Sequence, residues 1–435
     1  TTGMKPHIKL TLKKDIAPDG IPYWGDVAAG KAVAEARIEP VVDKVFEKYG
    51  RPVMVTREYQ SADKRWDKDE VASGFNRVYR LILTQDTDIP ADLIKDISIL
   101  PLVEAVSPGK VASADLPLVT ARSFSIETDQ RSRDAIHLPE AHDYSKGDPE
   151  IIVAVLDTGV DLDHPELTEA LLPGHDCVNI VDGAGKFVGD FLGYDEDPDD
   201  EVGHGTHVAG IIAGQGLDMP LGVVPQCKVL PVRVLGAMKR GAKKVGAGLV
   251  DNINTGIKWA IDNGADVINM SLGIQHTGGG LPHDEVVNYA RRKGVSIVAA
   301  SGNDGQEKMY YPGALPHVIA VGALDDTGKI ASFSTYGKQV DFAAPGTDIY
   351  STYIGSDYGF STGTSHASPF VAGAIALLKS YALKEHDVRL SDRQIKHLLK
   401  HTSDKMDKRF KHSKAGFGGL NMLDALGLLK YKLTH

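Results

Sequence analysis

The chain has few cysteines, no long apolar runs and no excess of positive charge, and each shortage removes a class of function. Two cysteines in 435 residues, Cys177 and Cys227, are too few for a disulfide framework or a zinc site. Both are expected as buried, unpaired thiols. The longest apolar runs, such as residues 370–378, fall well short of the ~18 residues that a membrane span requires. Residues 1–15 are polar with scattered lysines, so neither an anchor nor a signal peptide is visible. Thr1-Thr2-Gly3 ahead of Met4 fits a cloning remnant on a cytoplasmic start and equally a secreted chain whose signal was removed, which leaves the compartment open. Lys and Arg number 48 against 58 Asp and Glu, a net charge of -10. Such a chain has no general attraction to phosphate backbones or anionic membranes, and neither nucleic acid nor membrane is an expected partner.

What is there is ordinary globular composition, 42% apolar and 24% charged, on a length that suits a core of about 300 residues and a smaller unit of roughly 100. Apolar periodicity and breakers predict strands at residues 7–12, 52–57, 77–83 and 102–106, with helices over 30–49 and 91–98. That is the β-α-β-β-α-β order of a ferredoxin-like α+β unit. Residues 112–126 show little periodicity and read as a linker. From about residue 128 the pattern changes to near-continuous apolar strands at 151–156, 229–235, 267–270, 295–299 and 318–321, separated by helices at 206–213, 249–263, 284–292 and 367–382. Strands of this kind belong to a parallel sheet covered on both faces, an α/β domain. The densest charge run is 195–201, in which six of seven residues are acidic.

In an open parallel sheet the ligand site lies beyond the carboxyl ends of the strands. Asp157 ends the strand Ile-Ile-Val-Ala-Val-Leu and is followed by a Thr-Gly turn; taken alone it is also an ordinary turn or capping residue. His204 stands between two glycines at a helix start, where an imidazole is expected to be accessible. A metal pair with His207 fails, because the zincin pattern needs histidines four apart with a glutamate between them. Ser365 precedes the apolar helix and reads alone as an N-cap, although a nucleophile there also meets the helix dipole and its own N–H. Asn303, in Ser-Gly-Asn-Asp-Gly after a strand, is a common turn residue whose amide is also the donor type an oxyanion hole needs. The four together, each at a strand end or helix start, point to nucleophilic catalysis.

Asp157-Thr-Gly-Val-Asp, Gly203-His-Gly-Thr-His-Val-Ala-Gly, Ser301-Gly-Asn-Asp-Gly and Gly363-Thr-Ser-His-Ala-Ser-Pro resemble the four signature blocks of the subtilases, in that family's order of Asp, His, Ser. The resemblance runs over about residues 128–430 and departs from the familiar pattern at His366, where well-known subtilisins carry methionine. It implies a subtilisin-like parallel-sheet catalytic domain over residues 126–435 and a serine endopeptidase hydrolysing peptide or protein substrates. Asp157, His204 and Ser365 would be its triad, and Asn303 with the Ser365 N–H would bind the oxyanion. Ser271, Leu272 and Gly273 would hold the substrate backbone, and Ala300, Ser301 and Gly302 would line the primary pocket. The loop 306–311 would form its base, with Lys308, Met309 and Tyr310 as candidates to point inward. No cofactor is implied for catalysis. Asp195, Asp197, Asp199 and Asp200 have two readings, ligands of a structural calcium ion such as several subtilases bind in this stretch or a solvated acidic loop; the family's other common calcium site is doubtful, with Glu166 in place of the usual aspartate. Residues 1–115 resemble a prodomain that acts as chaperone and inhibitor, joined through a linker at 116–125 with a candidate processing site, which implies a self-processing zymogen whose own N-terminal unit is a partner.

Overall fold

The computed structural model of the chain describes residues 6–16, 20–115, 129–178, 187–188, 197–240, 243–276 and 281–435. Its central sheet has seven strands in the order Val340–Pro345, Val318–Leu324, Ser296–Ala300, Val267–Met270, Ile152–Asp157, Lys228–Arg233 and His175–Asp176. Every neighbouring pair is parallel. Side chains alternate across such strands, and here both faces are covered. Val153 and Val155 pack with the helices His204–Ala213, Thr364–His386 and Met422–Thr434, while Ala154 and Leu156 face Val250–Asp262 and Asp284–Lys293. The apolar runs of the sequence are the result. Cys177 and Cys227 are buried and unpaired.

The N-terminal sheet has the order Val53–Arg57, Val78–Leu83, His7–Leu12, Val103–Pro108 and is antiparallel throughout, the ferredoxin-like arrangement. Helices Pro40–Lys48 and Ala91–Ser98 supply Val42, Phe46, Leu93 and Ile97 to its core. The helix expected over 30–49 starts only at Pro40, because proline has no N–H for a helix interior and fits the first turn, where the Glu39 carboxylate accepts the N–H groups of Val41 and Val42.

This sheet packs on the outer surface of Val250–Asp262 and Asp284–Lys293. Tyr59, Phe75 and Val78 join the apolar cluster beneath those helices, with the Phe75 ring edge-on to Tyr289 at 4.9 Å. Buried and half-buried charges surround the contact. His7 Nε2 lies 2.5 Å from Asp251 Oδ2, Lys9 pairs with Glu285, Arg80 donates to Asn252 Oδ1 at 2.6 Å and Lys258 donates to Glu70 at 2.7 Å.

Part of the expected 112–126 linker is a strand. Val111–Asp115 adds antiparallel to Lys243–Leu249, so that Val111 stands opposite Leu249 and Asp115 opposite Val245. Lys243–Leu249 pairs in turn with Gly236–Arg240, a hairpin that period-2 reading of this glycine- and lysine-rich stretch did not reveal. Residues 116–125 lie outside the described residues.

Candidate active site

The strand Ile152–Asp157 ends beside the start of the helix His204–Ala213, and small residues let the two approach. A Cβ on Gly205 would lie 2.0 Å from Gly159 O, and one on Gly203, where φ is 109°, would enter the Tyr353 ring. In that contact His204 Nδ1 donates to Asp157 Oδ1 at 2.7 Å. The same oxygen accepts the N–H of Thr158 at 2.7 Å. With Nδ1 committed to a carboxylate, the Nε2 lone pair is left as a base, and among the described residues it has no hydrogen-bond partner. Burial pulls the imidazole pKa down, but the charge and hydrogen bond of Asp157, with Asp200 behind, raise it above the ordinary value. The residue is only 5% exposed, not accessible as its glycine setting implied, because the His366 ring and the Asp157 carboxylate close around it.

Ser365 is not the N-cap of its helix. Gly363 holds that position, and Ser365 is the second residue of the first turn of Thr364–His386. Its hydroxyl donates to Ser271 O at 3.3 Å, and Ser271 Oγ donates back to Ser365 O at 2.7 Å. The returned bond has a cause in the sequence: Pro369, four residues on, lacks the N–H that would otherwise take up that carbonyl. Asn303 Oδ1 accepts both the N–H and the hydroxyl of Thr364 at 2.8 Å, which fixes the amide so that Nδ2 faces away from Thr364. Neither Asn303 Nδ2 nor the Ser365 N–H has a hydrogen bond among the described residues. Both belong to one small region with Ser271, Leu272, Gly273, Ala300 and Gly302, which line a cavity of about 120 Å³ together with Asn303, Tyr310 and Ser365. Ser301 does not line it; its hydroxyl donates to Thr335 O at 2.9 Å.

The acidic run is put to another use. Asp200 is buried, and both its oxygens accept protein donors: Oδ1 takes Thr158 Oγ1, Val202 N and Gly203 N at 2.9 Å, and Oδ2 takes the Thr206 N–H at 3.0 Å and its hydroxyl at 2.7 Å. A carboxylate so occupied does not fit a cation ligand. It caps the His204 helix, where the helix dipole favours an anion, and ties that helix to the loop after Asp157. Asp197 Oδ1 accepts from Asp199 N at 3.2 Å, Asp195 lies outside the described residues, and among those described no three His, Cys, Asp or Glu side chains form a metal site. Sequence reasoning missed this role of Asp200, although an acid just ahead of a helix is a known signal.

Glu166 explains the doubt about the other calcium site. Its buried carboxylate accepts the N–H groups of Gly216, Leu217 and Asp218 at 3.0, 2.6 and 2.8 Å. The loop therefore presents donors, and a cation needs carbonyl or carboxylate oxygens. His207 Nε2 lies 2.9 Å from Ile349 O and 3.0 Å from Gly359 O, and His207 belongs to no metal-binding cluster among the described residues. His366, the departure from the signature, is buried, contacts Ser361 Oγ through Nε2 at 2.9 Å and is held neutral by burial and its two histidine neighbours.

Comparison with known proteins adds sequence evidence to this geometry. Residues 148–418 match the subtilase family. A thermophilic serine proteinase of Bacillus sp. (strain AK1) is 35% identical over 363 residues, covering 83% of this chain and 80% of that one. Subtilisin BL of Lederbergia lenta is 39% identical over 62% of this chain and 88% of its own length. Among solved structures, a protease from Pseudoalteromonas arctica PAMC 21717 superposes with a TM-score of 0.60 at 31% identity, over 71% of this chain and 100% of that one. The chain belongs to the subtilase family and is a serine endopeptidase.

Proposed function

We propose that Asp157, His204 and Ser365 hydrolyse peptide bonds through an acyl-enzyme, with Asn303 Nδ2 and the Ser365 N–H binding the oxyanion. The observation that carries this is the 2.7 Å bond between His204 and Asp157, which leaves a basic Nε2 at the carboxyl end of the sheet. Ser365 Oγ turns from Ser271 O toward that nitrogen, gives up its proton as it attacks the scissile carbonyl, and His204 returns the proton to the leaving amine. Asp157 keeps the imidazole in the useful tautomer and stabilises its protonated form. A fluorophosphonate probe tests the assignment: the wild-type chain is labelled and Ser365→Ala is not. Labelling that survives in Ser365→Ala would assign the nucleophile elsewhere.

In the same reading, residues 1–115 are an intramolecular chaperone and inhibitor, residues 116–125 a linker, and residues 126–435 the catalytic unit. Support comes from the buried charged contact of the N-terminal sheet and from Val111–Asp115, whose main chain adds as a strand to Lys243–Leu249 in the way an extended peptide adds to a sheet edge. Tethering makes such self-association effective, since a linked ligand faces its site at an effective concentration that can reach about millimolar. Ser365→Ala produced in a protease-deficient host accumulates uncut chain, whereas the wild type is cleaved within 111–126. Equal cleavage of both would remove the self-processing part of this reading.

A further inference from the structure

The cavity beside Ser365 is obstructed by one side chain. Tyr310–Tyr311 pairs antiparallel with Ile274–Gln275, the two residues that follow Ser271–Gly273, so the Tyr310 backbone is anchored to one wall of the cavity. Its ring then reaches across to the other. A Cβ on Gly273 would lie 3.1 Å from Tyr310 Cβ and 3.6 Å from Cδ1, and one on Gly302 would lie 2.7 Å from Cδ2 and 2.9 Å from Cε2. One edge of the ring thus faces Gly273 and the opposite edge faces Gly302, in the slot between the segments Ser271–Gly273 and Ala300–Gly302. The far end is fastened as well, since the Tyr310 hydroxyl donates to Asp304 Oδ2 at 2.9 Å.

Asp304 also lines the cavity, but its charge is already engaged. Oδ1 accepts the Thr335 hydroxyl at 2.6 Å and Gln306 N at 3.0 Å, and Oδ2 is shared by Tyr310 and by Lys308 at 3.5 Å. It holds the tyrosine and does not present a free carboxylate to a substrate cation. Neither Lys308 nor Met309 lines the cavity.

We propose that Tyr310 is a specificity-determining residue that closes this cavity and makes the endopeptidase selective for a small side chain, glycine, alanine or serine, on the residue whose carbonyl Ser365 attacks. The inference rests on the proposed role of Ser365, because only next to the nucleophile must that side chain enter this cavity. A large ring entering the slot has to displace Tyr310 from two glycine walls and break its bond to Asp304, and close-packed sites resist such insertion. Differences of single methylene groups in a pocket already change kcat/KM by about 10–200-fold, so alanine is expected to exceed phenylalanine by at least about that range.

The test uses matched fluorogenic peptides that differ only at this residue, with the fluorophosphonate-labelled fraction giving the concentration of working sites. Wild type cleaves after alanine more than about 10-fold faster than after phenylalanine, leucine or lysine, and Tyr310→Ala raises the phenylalanine-to-alanine ratio by about 10-fold or more. Tyr310→Leu, which keeps an apolar side chain on the strand pair, shifts the ratio in the same direction and serves if the alanine variant misfolds. A labelled wild type that prefers phenylalanine or leucine overturns the proposal, as does one that prefers lysine or arginine, which would make Asp304 the recognition group. A ratio unchanged in a labelled variant also overturns it. Absence of labelling in wild type is a different failure, that of the Ser365 assignment, and removes this inference with it.

Discussion

Ser271 and Ser365 are joined in both directions: Ser271 Oγ donates to the Ser365 carbonyl at 2.7 Å, and the Ser365 hydroxyl donates to Ser271 O at 3.3 Å. Because Pro369 deprives Ser365 O of a helical donor, the Ser271 hydroxyl is what satisfies that buried carbonyl. Ser271→Ala leaves it without this donor, at a cost of about 1–3 kcal/mol. The expected outcome is a lower melting temperature and, with Ser365 as the proposed nucleophile, a loss in kcat larger than any change in KM, because the first turn carrying Ser365 loses its support. Ser271→Thr, which keeps the hydroxyl, restores most of both.

Asp200 joins the two loops that carry Asp157 and His204. Its replacement by asparagine keeps the shape and removes a charge that raises the His204 pKa. The acid limb of the kcat/KM profile is therefore expected to move to lower pH in Asp200→Asn, together with a drop in stability from weakened hydrogen bonds. A limb that stays in place would show that Asp200 acts through structure alone.

The wild-type pH profile has a definite sign. In the proposed mechanism His204 must be neutral to accept the Ser365 proton, and its pKa lies above the ordinary value because Asp157 and Asp200 outweigh burial. Hence kcat/KM falls as pH drops through that raised value and levels off on the alkaline side. With Asn303 as the proposed oxyanion donor, Asn303→Leu is expected to lower the plateau by about 10²–10³, the scale known for loss of such an amide in a subtilisin, without moving the limb.

Glu166 places an anion at the centre of the 216–218 loop. Glu166→Ala leaves three N–H groups without that acceptor and is expected to destabilise the chain by about 1–3 kcal/mol or more. Melting curves with and without EDTA should show the same decrement, since the Glu166 carboxylate holds the loop's N–H groups directly.

Asp251 anchors the N-terminal sheet. Burial pushes its carboxyl up, but the His7 bond and the charges of His7, Lys9 and Arg80 carry it far below the usual carboxylate range. A depressed folded pKa contributes stability that is present above the ordinary value and lost only as pH falls through the lowered one, so mild acid does not loosen the contact through this group. Asp251→Ala does, at about 3–5 kcal/mol for breaking a buried pair. Hydrogen exchange in the Ser365→Ala background should show His7–Leu12 opening faster in the double variant.

Sequence alone determined the two kinds of sheet and the triad candidates, because burial on both faces writes continuous apolar strands and because blocks such as Gly203-His-Gly-Thr-His keep their function-bearing residues next to their turns. Helix limits were legible where a breaker stood, and missed at Pro40 where the breaker was read as interior. Tertiary structure decided what depends on partners distant in the chain. Asp200 became a cap that also holds Thr158, since beside its local donors at 202–206 it accepts a hydroxyl from a loop 42 residues away. Glu166 found its N–H groups 50 to 52 residues on. Ser271 met Ser365 across 94 residues. Tyr310, indistinguishable in sequence from Lys308 or Met309 as the inward residue, was selected by its pairing beside Gln275 and its reach to Gly302. Local pattern records a residue's own face and turn; which donor, glycine wall or charge it meets is fixed only when the sheet brings remote segments to one end.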